Sequence, residues 1–155
     1  MKIEELGPGD AGLLAELESA AFEHPWSAAA LAAEAQKAGH LALAIRAAEG
    51  RLEAAALFST VAGEAELLRV ATRPESRRHG HGRRLLEAGL ARLAAAGIAE
   101  VFLEVAEGNA PARSLYRVMG FEEKGRRPAY YRDGSAAILY GRRLESRTSR
   151  SLSKS

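Results

Sequence analysis

A strand ending Val70-Ala71-Thr72 is followed by Pro74 and then by Arg77-Arg78-His79-Gly80-His81-Gly82-Arg83, a loop rich in arginine and glycine that opens into an amphipathic helix. These residue types suit a bound phosphate. Gly80 and Gly82 lack Cβ, so the backbone there can take unusual dihedrals and approach a ligand closely. The N–H groups of a helix's first turn have no partner inside the helix and lie at the positive end of its dipole. Arg77, Arg78, Arg83 and Arg84 add charge. The loop is not a Walker loop, because no Gly-Lys pair occurs in the chain, and Leu85 stands where a dinucleotide fingerprint needs its third glycine. A basic turn that merely caps a helix accounts for the same residues.

Glu104 lies in the β-rich stretch Glu100 to Val105, at opposite parity to Val101, Leu103 and Val105. It reads either as a charge on the wetter face or as a partly desolvated general base with a raised pKa. Tyr116 follows on a helix, on one face with Ala112 and Met119. It is a core residue with its hydroxyl at the edge, or a phenol able to protonate a departing thiolate. Asn109 before Pro111 is a strong helix cap. His24, His79 and His81 are too scattered to read as metal ligands. Trp26, the sole tryptophan, reads as a staple between the first helices or, less simply, as a pocket wall.

The elements that would carry these residues are legible in order. Lys2 to Glu4 suits a short strand, and Asp10 suits the cap of a helix bearing Leu13, Leu14, Leu17 and Phe22. Ser27 caps a second, Ala-rich helix ending at Gly39. His40 to Ala47, Leu52 to Val61 and Glu64 to Val70, joined by turns at Glu49-Gly50 and Ala62-Gly63, form an antiparallel meander. The helix from Gly82 to Gly97 presents Leu85, Leu86, Leu90 and Leu93 on one face, and the strand after it should run parallel to the one ending at Val70. Strands after Gly120-Phe121 and from Ala136 to Leu144 complete the pattern. Residues 1–144 are read as a domain and residues 145–155 as a disordered, basic Ser/Arg-rich tail.

The chain has 155 residues, no cysteine and a net charge of +2. That excludes disulfide scaffolds, thiolate metal sites and a cysteine nucleophile, and it argues against wholesale nucleic-acid binding. No apolar run reaches membrane-spanning length and Met1 to Glu5 is unlike a signal peptide, so a cytoplasmic protein is expected.

Arg77-x-x-Gly80-x-Gly82 after an apolar strand resembles the acyl-CoA pyrophosphate loop of the GNAT N-acetyltransferases. Leu103-Glu104-Val105, Asn109-x-x-Ala112-x-x-Leu115-Tyr116 and Met119-Gly120-Phe121 extend that resemblance from Leu67 to Phe121 without a gap. Pro25-Trp26-Ser27 and Gly125-Arg126-Arg127-Pro128-Ala129-Tyr130-Tyr131 are similar to the RimI branch, whose members acetylate the N-terminal α-amine of a small-subunit ribosomal protein. Coverage then runs nearly from Ile3 to Leu144.

The resemblance implies an α/β (α+β) GNAT fold: a mixed, mostly antiparallel sheet of about seven strands, helices on both faces and a splayed parallel pair. It implies acetyl-CoA as co-substrate and no metal. The backbone of Val70, Ala71 and Thr72 would pair with the pantetheine arm, the amides of Arg78, His79, Gly80, His81, Gly82 and Arg83 would hold the pyrophosphate, and Asn109 would lie beside the thioester. Glu104 would be the base and Tyr116 the acid. The expected partner is a protein N-terminus, weighed against a small amine or lysine as acceptor and against a non-catalytic acyl-CoA-binding module; no membrane or direct nucleic-acid contact is expected. One stretch departs from the branch: Ser135-Ala136-Ala137 stands where an acidic pair commonly enters the last strand.

Overall fold

The computed structural model describes residues 2–145. The strands join one seven-stranded sheet in the order β1-β2-β3-β4-β5-β7-β6. Contacts within the chain group into two compact units, Met1–Val61 with Leu67–Gly89, and Ala62–Glu66 with the chain from Leu90 onward. The expected tail, apart from Glu145, lies outside the described residues.

The first unit begins with β1 (Ile3–Glu5), α1 (Ala11–Ala21) and α2 (Ala28–Ala35), followed by β2 (His40–Arg46) and β3 (Leu52–Val61). β1 pairs antiparallel with β2 through Ile3↔Ile45 to Glu5↔Leu43, and β2 with β3 through His40↔Ser59 to Ala44↔Ala55. Leu14 and Leu17, three residues apart on α1, pack with Leu31 of α2 and with Leu52 and Leu57 of β3 into one apolar cluster. Trp26 and Phe22 close its edge, so the staple reading of Trp26 holds. Ser27 caps α2 as expected, its Oγ accepting from the Ala30 amide at 3.1 Å.

One local expectation fails, and another holds in position but not in bonding, each for a physical reason. α2 stops at Ala35, well before Gly39. Gly39 instead adopts φ +85° where the chain enters β2, and a Cβ there would lie 2.2 Å from the Thr60 hydroxyl. The glycine answers a close approach between strands, not a helix end. Asp10 does sit at the N-cap position of α1, but without a capping bond. Its carboxylate accepts from the Gly7 amide at 2.9 Å, closing the short 3-10 turn Pro8–Asp10.

β4 (Glu64–Thr72) follows a turn in which Ala62 and Gly63 both have positive φ, +52° and +83°, the type I′ geometry that suits a twisted hairpin. α3 (His81–Ala95) buries Leu85, Leu86, Leu90 and Leu93, as its periodicity requires. In the second unit β5 (Glu100–Ala106) runs parallel to the start of β4, with Glu64↔Glu100 to Glu66↔Phe102 in register. The crossover expected from strand, helix, strand is therefore present. β7 (Ala137–Arg143) lies antiparallel to β5, and β6 (Glu122–Arg127), reached through α4 (Ala110–Val118), pairs with β7.

Gly89 shows how closely the first unit is packed. A Cβ there would fall 2.5 Å from Cε2 and Cζ of Phe58, a ring with no solvent exposure. Gly12 on α1 has nothing within 4 Å of the same position. Both substitutions to alanine gain helix propensity of about 1 kcal/mol. Gly12→Ala should therefore raise stability by up to that amount, whereas Gly89→Ala should lower it by about 1–2 kcal/mol because overpacking outweighs propensity. Denaturant melts of the two variants check the opposite signs.

Candidate active site

The arginine and glycine loop belongs to the first unit. Its exposed segment runs from Arg77 to Gly80, between buried Ser76 and the start of α3. Arg78 and Gly80 both take left-handed backbone, φ +68° and +75°. Gly80 does so at no cost, but a residue with a Cβ is held there only where its surroundings over-determine the chain. The first rung of α3 runs from the Arg84 amide to the Gly80 carbonyl at 3.0 Å. The amides of His81, Gly82 and Arg83 thus precede the ladder. No acidic residue occupies the first turn of α3, so its own side chains leave the positive end of the dipole uncompensated.

Some of these arginines already have partners within the chain. Arg77 donates to the Ala21 carbonyl at 3.2 Å, and Arg83 pairs with Glu87 one turn along at 3.0 Å. His79 and His81 stack with ring centroids 5.9 Å apart. Burial, followed by the neighbouring His79, lowers the pKa of His81 below its ordinary 6.5. Val70, Ala71 and Thr72 form the end of β4, with Ala71 buried and its neighbours partly so.

Two buried carboxylates that sequence reasoning passed over organise this unit. Glu18 on α1 is 2 % exposed. It accepts from Arg69 at 2.6 and 3.1 Å and from the Trp26 amide at 2.9 Å. The guanidinium also lies 4.0 Å over the Phe22 ring. The second is Glu53 on β3, which accepts from the Ser76 hydroxyl. Glu18 lies at position i+4 from Leu14 on the apolar face of its helix, and that misplaced acid was the one available signal.

The second unit holds Glu104, Asn109 and Tyr116. β5 alternates as read, with Val101, Leu103 and Val105 buried and Glu104 between them partly exposed. The Glu104 side chain is 24 % exposed and pairs with Arg127 of β6 at 3.2 Å. The carboxylate is thus partly desolvated but not isolated. Arg127 itself is largely exposed and lies 5.6 Å from the Tyr130 ring, so the ion pair is weak and exchangeable. Tyr131 feels the Glu104 charge, though burial is the larger cause of its raised pKa. Tyr130 and Tyr131 meet edge to face at 5.1 Å. Neither Arg127 nor the two tyrosines stood among the sequence-derived site residues.

Asn109 is the cap of α4, its Oδ1 accepting from the Ala112 amide at 3.3 Å. The Tyr116 ring lies 5.9 Å from Phe121 and 6.4 Å from Tyr140. That burial raises its phenol pKa to about 12, so the proton stays on through the neutral range. Arg113, one turn earlier, donates to the Tyr140 hydroxyl and to the Glu107 carbonyl, each at 3.0 Å. Those bonds tie α4 to β7 and to the turn that presents Asn109. At Ser135-Ala136, where the acidic pair is replaced, Ser135 is partly exposed and Ala136 is buried at 4 % exposure, so a carboxylate at the second position would lose its solvent. Asp133 supplies an acid just before, accepting from the amide and hydroxyl of Ser135 at 2.9 and 2.6 Å.

Among the described residues no group of three or more His, Cys, Asp or Glu is placed to hold a metal ion, and no helix is long and apolar enough to cross a membrane.

Arg69→Ala would leave the Glu18 carboxylate with the Trp26 amide alone, and a buried charge stripped of its partner costs about 3 kcal/mol; a fall of that order in unfolding free energy is the expected outcome. The histidines make a second prediction. Burial lowers the pKa of both His40 and His81 below 6.5, so the unfolded chain binds protons that the folded chain refuses. Stability from this source is complete above that value and is lost as pH falls below it. Replacing both with Gln should flatten the acid side of a stability profile measured between about pH 5 and 7.

Comparison with known proteins bears on the family and the fold. The acetyltransferase (GNAT) family model matches residues 12–121. The ribosomal protein bS18-alanine N-acetyltransferase of Escherichia coli K12 is 40 % identical over 82 residues, which cover 53 % of this chain and 55 % of that enzyme. An uncharacterised protein of Mycobacterium leprae is 37 % identical over 148 residues, 92 % of this chain and 40 % of its own length. The chain thus spans between two fifths and just over half of these curated relatives. The crystal structure of the ribosomal-protein-S18-alanine N-acetyltransferase from Escherichia coli superposes with a TM-score of 0.86 and 33 % identity, covering 93 % of this chain and 94 % of that one. From residue 12 to residue 121 the pattern of motif and fold is continuous, and this chain belongs to the GNAT acetyltransferase family.

Proposed function

We propose that the protein transfers an acetyl group from acetyl-CoA to the N-terminal α-amine of a protein, with ribosomal protein bS18 the candidate acceptor. The observation that carries the coenzyme reading is the loop from Arg77 to Gly82, where left-handed Arg78 and Gly80 precede the unladdered amides of α3. Amides from Arg78 to Arg83 would hold the diphosphate. The backbone of Val70, Ala71 and Thr72 would pair with the pantetheine arm, and Asn109 would lie beside the thioester. The acceptor reading draws its support from the two Escherichia coli matches above, which are alanine N-acetyltransferases of ribosomal protein bS18 by name.

The chemistry is direct attack. An α-ammonium has an ordinary pKa near 8 and a lysine near 10.4, so far more of the former loses its proton at neutral pH. The ammonium first gives up one proton to solvent. Glu104 takes a second, directly or through a water, as the neutral nitrogen bonds to the thioester carbonyl carbon; that second proton balances the one Tyr116 supplies to sulfur. Arg127 is the partner that an incoming ammonium displaces from Glu104. Negative charge grows on the carbonyl oxygen, where a backbone N–H near Val70 would stabilise it. The C–S bond then breaks, and Tyr116 meets the leaving sulfur. A phenol with a pKa of about 12 is fully protonated but reluctant to ionise, so it hydrogen-bonds the sulfur as charge develops and completes the transfer late.

Tyr116→Phe should lower kcat by at least about tenfold with little change in the KM for acetyl-CoA. Glu104→Gln should depress the rate most at low pH, where the amine is hardest to deprotonate. Initial rates with an Ala-starting peptide bearing the bS18 N-terminal sequence, a lysine peptide and a polyamine test the acceptor. Preference for the first is expected. Preference for either other amine would move the acceptor assignment, and binding of acetyl-CoA without turnover on any amine would reduce the protein to a binding module.

A further inference from the structure

Glu53 takes no part in the chemistry above, yet it is 7 % exposed and sits beneath the approach to the anion-binding loop. Its carboxylate accepts from the hydroxyl of Ser76, itself 7 % exposed and the last buried residue before the loop emerges. The same turn is fastened at its other end. The Arg73 amide donates to the Glu53 carbonyl at 2.9 Å, and Arg73 Nε donates to the Leu52 carbonyl at 2.7 Å. The Ser76 amide returns to the Arg73 carbonyl at 2.9 Å, closing the turn. Arg51, two residues before Glu53 in the chain, reaches Glu75 at 3.6 Å.

Electrostatics alone makes this carboxylate the wrong neighbour for a diphosphate, because a buried negative charge repels an anion. Its placement makes sense as an anchor. Left-handed Arg78 lies two residues past Ser76, and such a conformation persists only where the flanking chain is fixed. We infer that Glu53 is a positioning residue for the coenzyme: through Ser76 it fixes the start of the Arg77–Gly82 loop and so aims its amides at the diphosphate. This inference rests on the coenzyme reading above.

The test compares acetyl-CoA with S-acetylpantetheine, which carries the same thioester but no diphosphate. Glu53→Ala should raise the KM for acetyl-CoA about tenfold, the scale of one buried hydrogen bond to a charged group. Its kcat at saturation, and its kcat/KM with S-acetylpantetheine, should hold. Ser76→Ala removes the donor of the same bond and should reproduce the split; it carries the comparison alone should Glu53→Ala fail to fold. The double variant should be no worse than Glu53→Ala, which already removes the Ser76 bond together with the 3.9 Å ion pair between Glu53 and Arg51. Glu53→Gln keeps an acceptor for the hydroxyl and should restore most of the affinity. Equal losses on both donors, no loss on either, or a Gln variant as impaired as Ala would overturn the assignment. Wild-type protein that turns over the two donors equally well would instead overturn the coenzyme reading, and this inference with it.

Discussion

A carboxylate with almost no solvent must be matched by donors on every side, and Glu18 is matched by groups from separate parts of the first unit. Arg69 comes from β4, the Trp26 amide from the link between α1 and α2, and Glu18 itself from α1. The helix pair, the link and the strand that leads to the Arg77–Gly82 loop are therefore referenced to one side chain. Phe22 and Trp26 flank the guanidinium at 4.0 and 5.6 Å, covering the pair from water and strengthening it. Apolar contact alone would leave α1 free to slide along the sheet; a bidentate pair with a third bond from the link does not.

The second unit uses a different device. Arg113 reaches from α4 to the Tyr140 hydroxyl and the Glu107 carbonyl, while the Asn109 side chain closes the first turn of the helix. Tyr116 is therefore carried on a helix secured at its start and packed against Phe121 and Tyr140 along its length. Burial raises the phenol pKa as a direct result of that packing. The environment that fixes the ring also makes the phenol hold its proton more tightly.

What was legible in the sequence is what neighbours in the chain decide. The period of two in β5 places Glu104 apart from Val101, Leu103 and Val105, and Ala62-Gly63 marks a hairpin because both residues must take positive φ. Ser27 and Asn109 cap their helices through bonds three residues away. What stayed hidden depends on partners far along the chain. Glu18 meets Arg69 across 51 residues and Glu53 meets Ser76 across 23, and nothing in the type of a glutamate announces its burial. Gly39 misled for the same reason, since its glycine serves Thr60 on another strand. At the candidate site the motif residues were visible, Arg127 among them, but nothing in the motif marked Arg127 as the direct partner of Glu104.

The sheet order leaves β1 and β6 as its outermost strands, each with one row of backbone groups lacking a neighbouring strand in the sheet. Such rows invite foreign chains to stack on and propagate. β1 offers only Ile3–Glu5, too short a template to recruit much. β6 is longer, but it reads Glu-Glu-Lys-Gly-Arg-Arg, is mostly exposed and carries a bulge between Glu123 and Gly125. Charge and irregularity there make an approaching strand bury unmatched ions, which disfavours edge-to-edge stacking on β6.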